Sequence, residues 1–261
     1  MSTSMNGSAA ISLAGVTKRF GGDDGVLALD RVSMDVADAE FVSVIGPSGC
    51  GKSTLLRVIA GLIPYDSGDA NLLDRPIDGP SSAVGVVFQK ANLLPWRTVE
   101  RNLRLAVDIR GTAGADLDAR LAGMLGMLGL KGFASRYPHE LSGGMQQRVA
   151  IGQALMANPR VLLMDEPFGA LDALTRDRLN VELLHVWQAA RKTVVLVTHS
   201  IPEAIFLSDR VIVMSARPGK IVEELKIDLP RPRDPSTTRT LPQFGEYVVH
   251  LFDLMGVNAS E

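Results

Sequence analysis

Short, continuous apolar runs punctuate this chain, and most of them end on a glycine or a polar residue. FVSVI at 41–45, VGVVF at 84–88, VLLMD at 161–165, TVVLVT at 193–198 and RVIVM at 210–214 are too short for buried helices and rich in β-branched residues. With two further runs they predict strands over 11–18, 29–36, 41–45, 84–88, 161–165, 193–198 and 210–214. Helical patterns stand between them, so the fold class is α/β with a parallel sheet. A helix starts near Lys52 and must stop before Pro64. From Thr98 to about Asn158 the strand signal vanishes. There Leu121, Met124, Leu125 and Leu128, then Met145, Val149, Gly152 and Leu155, recur at helical spacing. That block, about 98–158, predicts a helical subdomain inserted into the core. After Leu229 the stretch PRPRDP reads as a linker. Phe244, Val248, Leu251 and Leu254 follow on one helical face, and that spacing favours cover for the protein's own surface over a partner-docking site.

Composition removes several function classes. With 46% hydrophobic residues among 261, the chain can bury a large core. No run approaches the roughly 18 apolar residues of a membrane span. The opening MSTSMNGSAA has neither the basic nor the apolar part of a secretory signal and reads as a disordered tail over 1–10. Lys and Arg number 27 against 29 Asp and Glu, a net charge of −2, so no electrostatic footprint favours nucleic acid. The single cysteine, Cys50, excludes an intramolecular disulfide, and the four histidines show no zinc spacing. A cytosolic, reduced, globular protein is expected.

The first chemical motif is GPSGCGKST at 46–54: Gly46, Pro47, Ser48, Gly49, Cys50, Gly51, Lys52, Ser53 and Thr54. It fits GxxxxGK[ST] and lies between a predicted strand and a predicted helix, the context that a phosphate loop requires. Inward-pointing amides and a helix N-terminus hold phosphate oxygens. Lys52 is expected to reach the β and γ phosphates of ATP and Ser53 to ligate Mg²⁺. Cys50 in this loop raises redox control as one reading; a small side chain that fits a tight loop is the favoured one, since nothing nearby in the sequence is expected to acidify its thiol.

Other strand ends add to this chemistry. VLLMDEP ends in Asp165, placed to hold Mg²⁺, and Glu166, able to orient or deprotonate the attacking water. VVLVTHS ends in His199, within reach of a γ-phosphate, and Ser200 with Glu203 forms a capping-box pattern for the next helix. Gln89 closes SAVGVVFQ; its amide suits Mg²⁺ or the water. All four strand ends face the edge where open α/β sheets place ligands.

A second serine-glycine turn, LSGGMQQR, opens a helix within the predicted insertion. Ser142 is a good N-cap, Gly143 and Gly144 leave first-turn amides uncovered, and the macrodipole makes the helix start an anion site. Lying away from the first loop, it fits a head-to-tail pair of chains in which Ser142, Gly143, Gly144, Met145 and Gln146 of one close over ATP held by the other.

In this order and spacing, GPSGCGKST, Gln89, LSGGMQQR, VLLMDEP, GALD and His199 resemble the ATP-binding cassette (ABC) ATPases, over about 11–230. The resemblance implies a P-loop NTPase core: a mostly parallel sheet with flanking helices, an N-terminal antiparallel β part and the inserted α-helical subdomain. A linker and short helix would occupy 231–261. It implies that 46–54 is the Walker A loop, Gln89 the Q-loop glutamine, 141–146 the signature, 161–165 the Walker B strand, Glu166 the catalytic base and His199 the switch histidine. Phe20 takes the place of the aromatic on adenine, and 170–172 that of a loop touching the opposite subunit. Met145 stands where many cassettes carry Gln, as is usual among bacterial importers.

FQKANLLPWRTVERN and DEPFGALDALTR most resemble the ATPase subunits of nitrate, sulfonate and taurine importers. This implies a peripheral subunit on the cytoplasmic face of the inner membrane, a transmembrane permease, a second ABC subunit and, indirectly, an extracytoplasmic solute-binding protein. Leu93, Leu94 and Trp96 would line a groove for a permease helix, or else pack the insertion onto the core. An exporter or lipid-transport ATPase of the same fold stays open, as does a soluble ABC ATPase acting on DNA or ribosomes. The coiled-coil insertions, zinc motifs and tandem cassettes usual in that last class are not seen.

Overall fold

The computed structural model describes residues 9–22, 25–111, 114, 116–169 and 171–256. A six-stranded sheet runs in the order β10 (Ile221–Lys226), β9 (Arg210–Met214), β3 (Phe41–Ile45), β8 (Thr193–Val197), β7 (Val161–Asp165) and β6 (Val84–Val87). All neighbours are parallel except β10, which is antiparallel at one edge. Every residue of β3, β7 and β8 is buried, as expected of parallel strands covered on both faces. An antiparallel sheet of β2 (Val26–Ala37), β1 (Ala9–Phe20), β4 (Ser67–Leu72) and β5 (Arg75–Pro76) stands beside it.

The two faces of the large sheet bury different layers, because side chains alternate along each strand. Val42, Val44, Leu163 and Val195 pack with Leu55, Val58 and Ile59 of α1 (Lys52–Ile59) and with the antiparallel sheet. Phe41, Leu162, Met164 and Leu196 pack with α5 (Ala173–Ala190), α6 (Ile201–Leu207) and α8 (Pro242–Leu254). A separate core holds Leu103, Val107, Leu121, Leu125 and Val149 between α2 (Val99–Arg110), α3 (Leu117–Met127) and α4 (Gly143–Met156). Their close crossing depends on Gly152, where a Cβ would meet Leu128 Cδ1 at 2.5 Å and Leu103 Cδ2 at 2.7 Å.

Several readings of the sequence need correction. Ala9 and Ala10, read as tail, belong to β1, where Ala9 stands opposite Ala37; residues 1–8 lie outside the described residues. Strands β4, β5 and β10 were not predicted. The stretch read as a linker is docked: Arg233 is 5% exposed and donates to the carbonyls of Ile205, Phe206 and Ser208. Arg231 donates to Asp209 and lies over the Trp187 ring at 4.3 Å. Arginines satisfy the carbonyls at the end of α6, so a Pro-rich segment becomes fixed structure. A short helix, α7 (Pro235–Thr238), precedes α8, whose Phe244 and Leu251 complete the core.

Register sets the functional edge. Val44 of β3 and Asp165 of β7 both stand beside Val197 of β8. The carboxyl ends of these strands are therefore level, and the residues that follow leave the sheet together.

Candidate active site

The glycine loop follows β3 and opens α1. Gly51 has φ 110°, and a Cβ there would lie 2.7 Å from the Ala28 carbonyl oxygen, so only glycine fits this step. Lys52, 6% exposed, turns back over the loop and donates from Nζ to the carbonyls of Gly46 (2.7 Å) and Pro47 (2.9 Å). Its ammonium also lies 3.8 Å from the buried Cys50 Sγ, so a cation does stand beside this sulfur, contrary to the expectation from sequence. Ser48 and Gly49 are exposed. Arg217, which sequence reasoning passed over, donates from Nε and Nη2 to the Gly49 carbonyl. No local pattern marks it, because its partner lies 168 positions away.

Two carboxylates at the end of β7 have different surroundings. Asp165 Oδ1 accepts from Ser53 Oγ at 2.9 Å. Burial pushes its carboxyl above the ordinary range; Ser53 opposes this, Glu166 adds to it, and Arg57 and Lys52 draw it back. Glu166 occupies the left-handed region at φ 47°, uncommon for a residue with a side chain and costly without a holding contact. Its amide donates to Val197 of β8 at 2.8 Å, which fixes that turn. Glu166 Oε2 accepts from Gln89 Nε2 at 3.1 Å and lies 3.4 Å from His199 Nδ1. Three strand ends thus meet at one carboxylate oxygen.

His199 is carried on a turn that differs from the expected capping box. Ser200 Oγ accepts from the Glu203 amide, as an N-cap does. The Glu203 carboxylate, however, accepts from Thr198 Oγ1, and that hydroxyl takes the Ser200 amide. The reciprocal bond of a capping box is relayed through a threonine.

The second glycine turn stands on the helical layer. Ser142 caps α4 by accepting from the Met145 amide at 3.3 Å, and Gly143 and Gly144 form its first turn. The Gln146 amide is used within its own neighbourhood, on the carbonyls of Pro138 and Leu141. Among the described residues no hydrogen bond or ion pair joins 142–146 to 46–54. Gln147, one residue beyond the expected site residues 142–146, is buried and donates to the Phe88 carbonyl, next to Gln89. Phe20 is 44% exposed, with Lys18 Nζ 5.5 Å from its ring centre. Of the 170–172 loop, Asp172 caps α5 by accepting from Thr175; Ala170 lies outside the described residues. Leu93 is half-buried against the helical core, whereas Trp96 is 70% exposed.

A loop of amides with a lysine, a hydroxyl beside a carboxylate, and a second carboxylate oriented by an amide and an imidazole together suit cleavage of a phosphoanhydride by water. Residues 29–169 match the family model described as ABC transporter. The taurine import ATP-binding protein of Rhizobium johnstonii is 47% identical over 225 residues, covering 85% of this chain and 86% of its own length. The aliphatic sulfonates import ATP-binding protein of Bacillus cereus is 42% identical over 248 residues, covering 95% and 97%. A solved ATP-binding cassette, dimeric in a post-hydrolysis state with ADP and Pi, superposes with a TM-score of 0.75 at 34% identity, covering 83% of this chain and 98% of that one.

Proposed function

The chain belongs to the ABC transporter family of ATPases, and from that membership we propose that it is the ATP-hydrolysing subunit of a membrane importer for taurine, a sulfonate, nitrate or a related small solute. The observation that carries the chemistry is the meeting of Gln89 and His199 at Glu166 Oε2. Phe20 offers a face for adenine. Lys52 exchanges its two loop carbonyls for the β and γ phosphates, so its ammonium is fully partnered with or without nucleotide. Glu166 orients the attacking water and takes its proton, Gln89 senses the γ-phosphate, and His199 holds the carboxylate and the phosphate in one frame.

Ser53 and Asp165 fit Mg²⁺. A hydroxyl and a carboxylate 2.9 Å apart are hard oxygen donors, and this ion completes its shell with water and substrate phosphates rather than with a protein cage. When bound it neutralises charge developing on the phosphates.

Ser142, Gly143, Gly144, Met145 and Gln146 close over the nucleotide of a second ABC subunit, since nothing bonds them to their own phosphate loop. A dimeric cassette relative and importer relatives support this pairing and a transmembrane permease. No helix among the described residues is long and apolar enough to cross a membrane. In the proposed importer a separate permease supplies the path and an extracytoplasmic protein the solute. Trp96, beside a hollow of about 600 Å³ lined by Arg97, Arg101 and Arg104 together with Glu100 and Asp108, offers the permease a docking surface. The test is affinity purification from detergent-solubilised membranes. A co-purifying permease, weakened by Trp96→Ala, supports the importer; recovery of ribosomes, DNA or no membrane protein overturns it.

A further inference from the structure

Glu203 sits in the first turn of α6 and is 4% exposed, too deep to touch nucleotide or water. Its bonds nevertheless bracket His199 in the chain. The carboxylate Oε2 accepts from Thr198 Oγ1 at 2.5 Å, and the amide donates to Ser200 Oγ at 3.4 Å. Thr198 Oγ1 accepts in turn from the Ser200 amide at 3.1 Å, closing the turn on itself. We propose that Glu203 is the positioning residue of His199, holding residues 198–200 so that the imidazole stands against Glu166.

Helix capping alone does not account for this carboxyl group. A capping glutamate reaches the N-cap amide near the surface, whereas this one is buried and bonds the residue before the histidine. Among the described residues Glu203 Oε1 is buried without a hydrogen bond of good geometry, although the Asn180 side chain lies against the same carboxyl, a costly arrangement that an apolar side chain would avoid. Burial pushes the carboxyl above the ordinary range, against the Thr198 bond, the pull of Arg176, the Asn180 amide and His199. Glutamine keeps the shape of the side chain and an acceptor oxygen for the Thr198 hydroxyl, so it is the conservative replacement. Because His199 is largely exposed and, among the described residues, has Glu166 as its close polar contact, its orientation depends on the turn beneath it.

The inference rests on the proposed role of His199, and steady-state ATP hydrolysis separates the two. Glu203→Ala is expected to lower kcat on the order of ten- to a hundredfold with KM within about twofold, as for loss of orientation rather than of binding. Glu203→Gln restores most of the rate. Thr198→Val, which removes the same bond from the other side, repeats the loss should Glu203→Ala fold poorly. In a His199→Ala background neither Glu203→Ala nor Thr198→Val lowers kcat further. An undiminished kcat in both variants, or the same fold-loss in the His199→Ala background as in the wild type, overturns the positioning role alone. A His199→Ala variant as fast as the wild type removes the site reading itself and this inference with it.

Discussion

Gln147 Nε2 donates to the Phe88 carbonyl at 3.1 Å, tying the helix that begins at the second glycine turn to the residue before Gln89. The glutamine is 3% exposed, so its loss leaves a polar group without a partner. Gln147→Leu should cost about 1–3 kcal/mol, the usual penalty for such a group. Calorimetry should show Tm lower by roughly 2–4 °C for each kcal/mol lost. Hydrolysis should fall as well, because Gln89 is held through that strand end. An exposed substitution on α3 should change neither.

Lys52→Ala tests the phosphate loop. The ammonium donates to two loop carbonyls, and in the proposed complex it bonds phosphate oxygens instead. Charge-assisted bonds contribute about 1.5–3 kcal/mol, so ATP affinity should weaken on the order of ten- to a hundredfold. Titration with a fluorescent ATP analogue reads this directly. Unchanged affinity would overturn the assignment of 46–54.

The site was legible in the sequence where function forces unusual residues into short windows. GPSGCGKST and VLLMDEP each carry their chemistry within one strand end, so no distant partner was needed to recognise them. Residues whose purpose is a distant contact stayed hidden. Gln147 answers Phe88, Arg217 answers Gly49, and Arg233 answers the carbonyls of α6; each looks locally like an ordinary polar residue. The same holds for strands. The runs at 41–45, 161–165 and 193–197 are buried on both faces and announce themselves, whereas β4, SGDANL, begins with three exposed residues and is held mainly by pairing with β1. In β10, IVEELK, Glu223 takes an inward-alternating position and breaks the apolar period.

Leu251→Ala separates a core helix from a docking helix at the C-terminal end. Leu251 is fully buried among α6 and α8 side chains. Truncation to alanine should cost about 2–5 kcal/mol, a loss seen by denaturant unfolding of the isolated chain. A variant as stable as the wild type would mean that α8 does not belong to this core.

Glu166→Gln should retain ATP and trap a pair of chains. The amide keeps the shape of the side chain and its bond to Gln89, but cannot take a proton from water. Light scattering should give a dimer with ATP and Mg²⁺ and a monomer without them. A monomer under both conditions would sink the head-to-tail arrangement.

Asp165→Asn should trade activity for stability, with a sign set by burial. The Asp165 pKa is raised in the folded chain, chiefly by burial and then by Glu166, against Ser53, Arg57 and Lys52. A carboxyl whose folded pKa exceeds its unfolded one releases its proton more readily when unfolded. The resulting penalty on the folded state grows as pH rises from the unfolded value through the folded one. Asparagine keeps an acceptor for Ser53 without the charge. At neutral pH and without nucleotide, Asp165→Asn should therefore melt at or above the wild-type Tm, and the gap should close as pH falls below the ordinary carboxylate range. Hydrolysis should drop by at least about a hundredfold, the scale of losing one charge-stabilising group at a reacting centre. A variant that melts well below the wild type at neutral pH would show that the carboxylate contributes more through Ser53 than burial takes away.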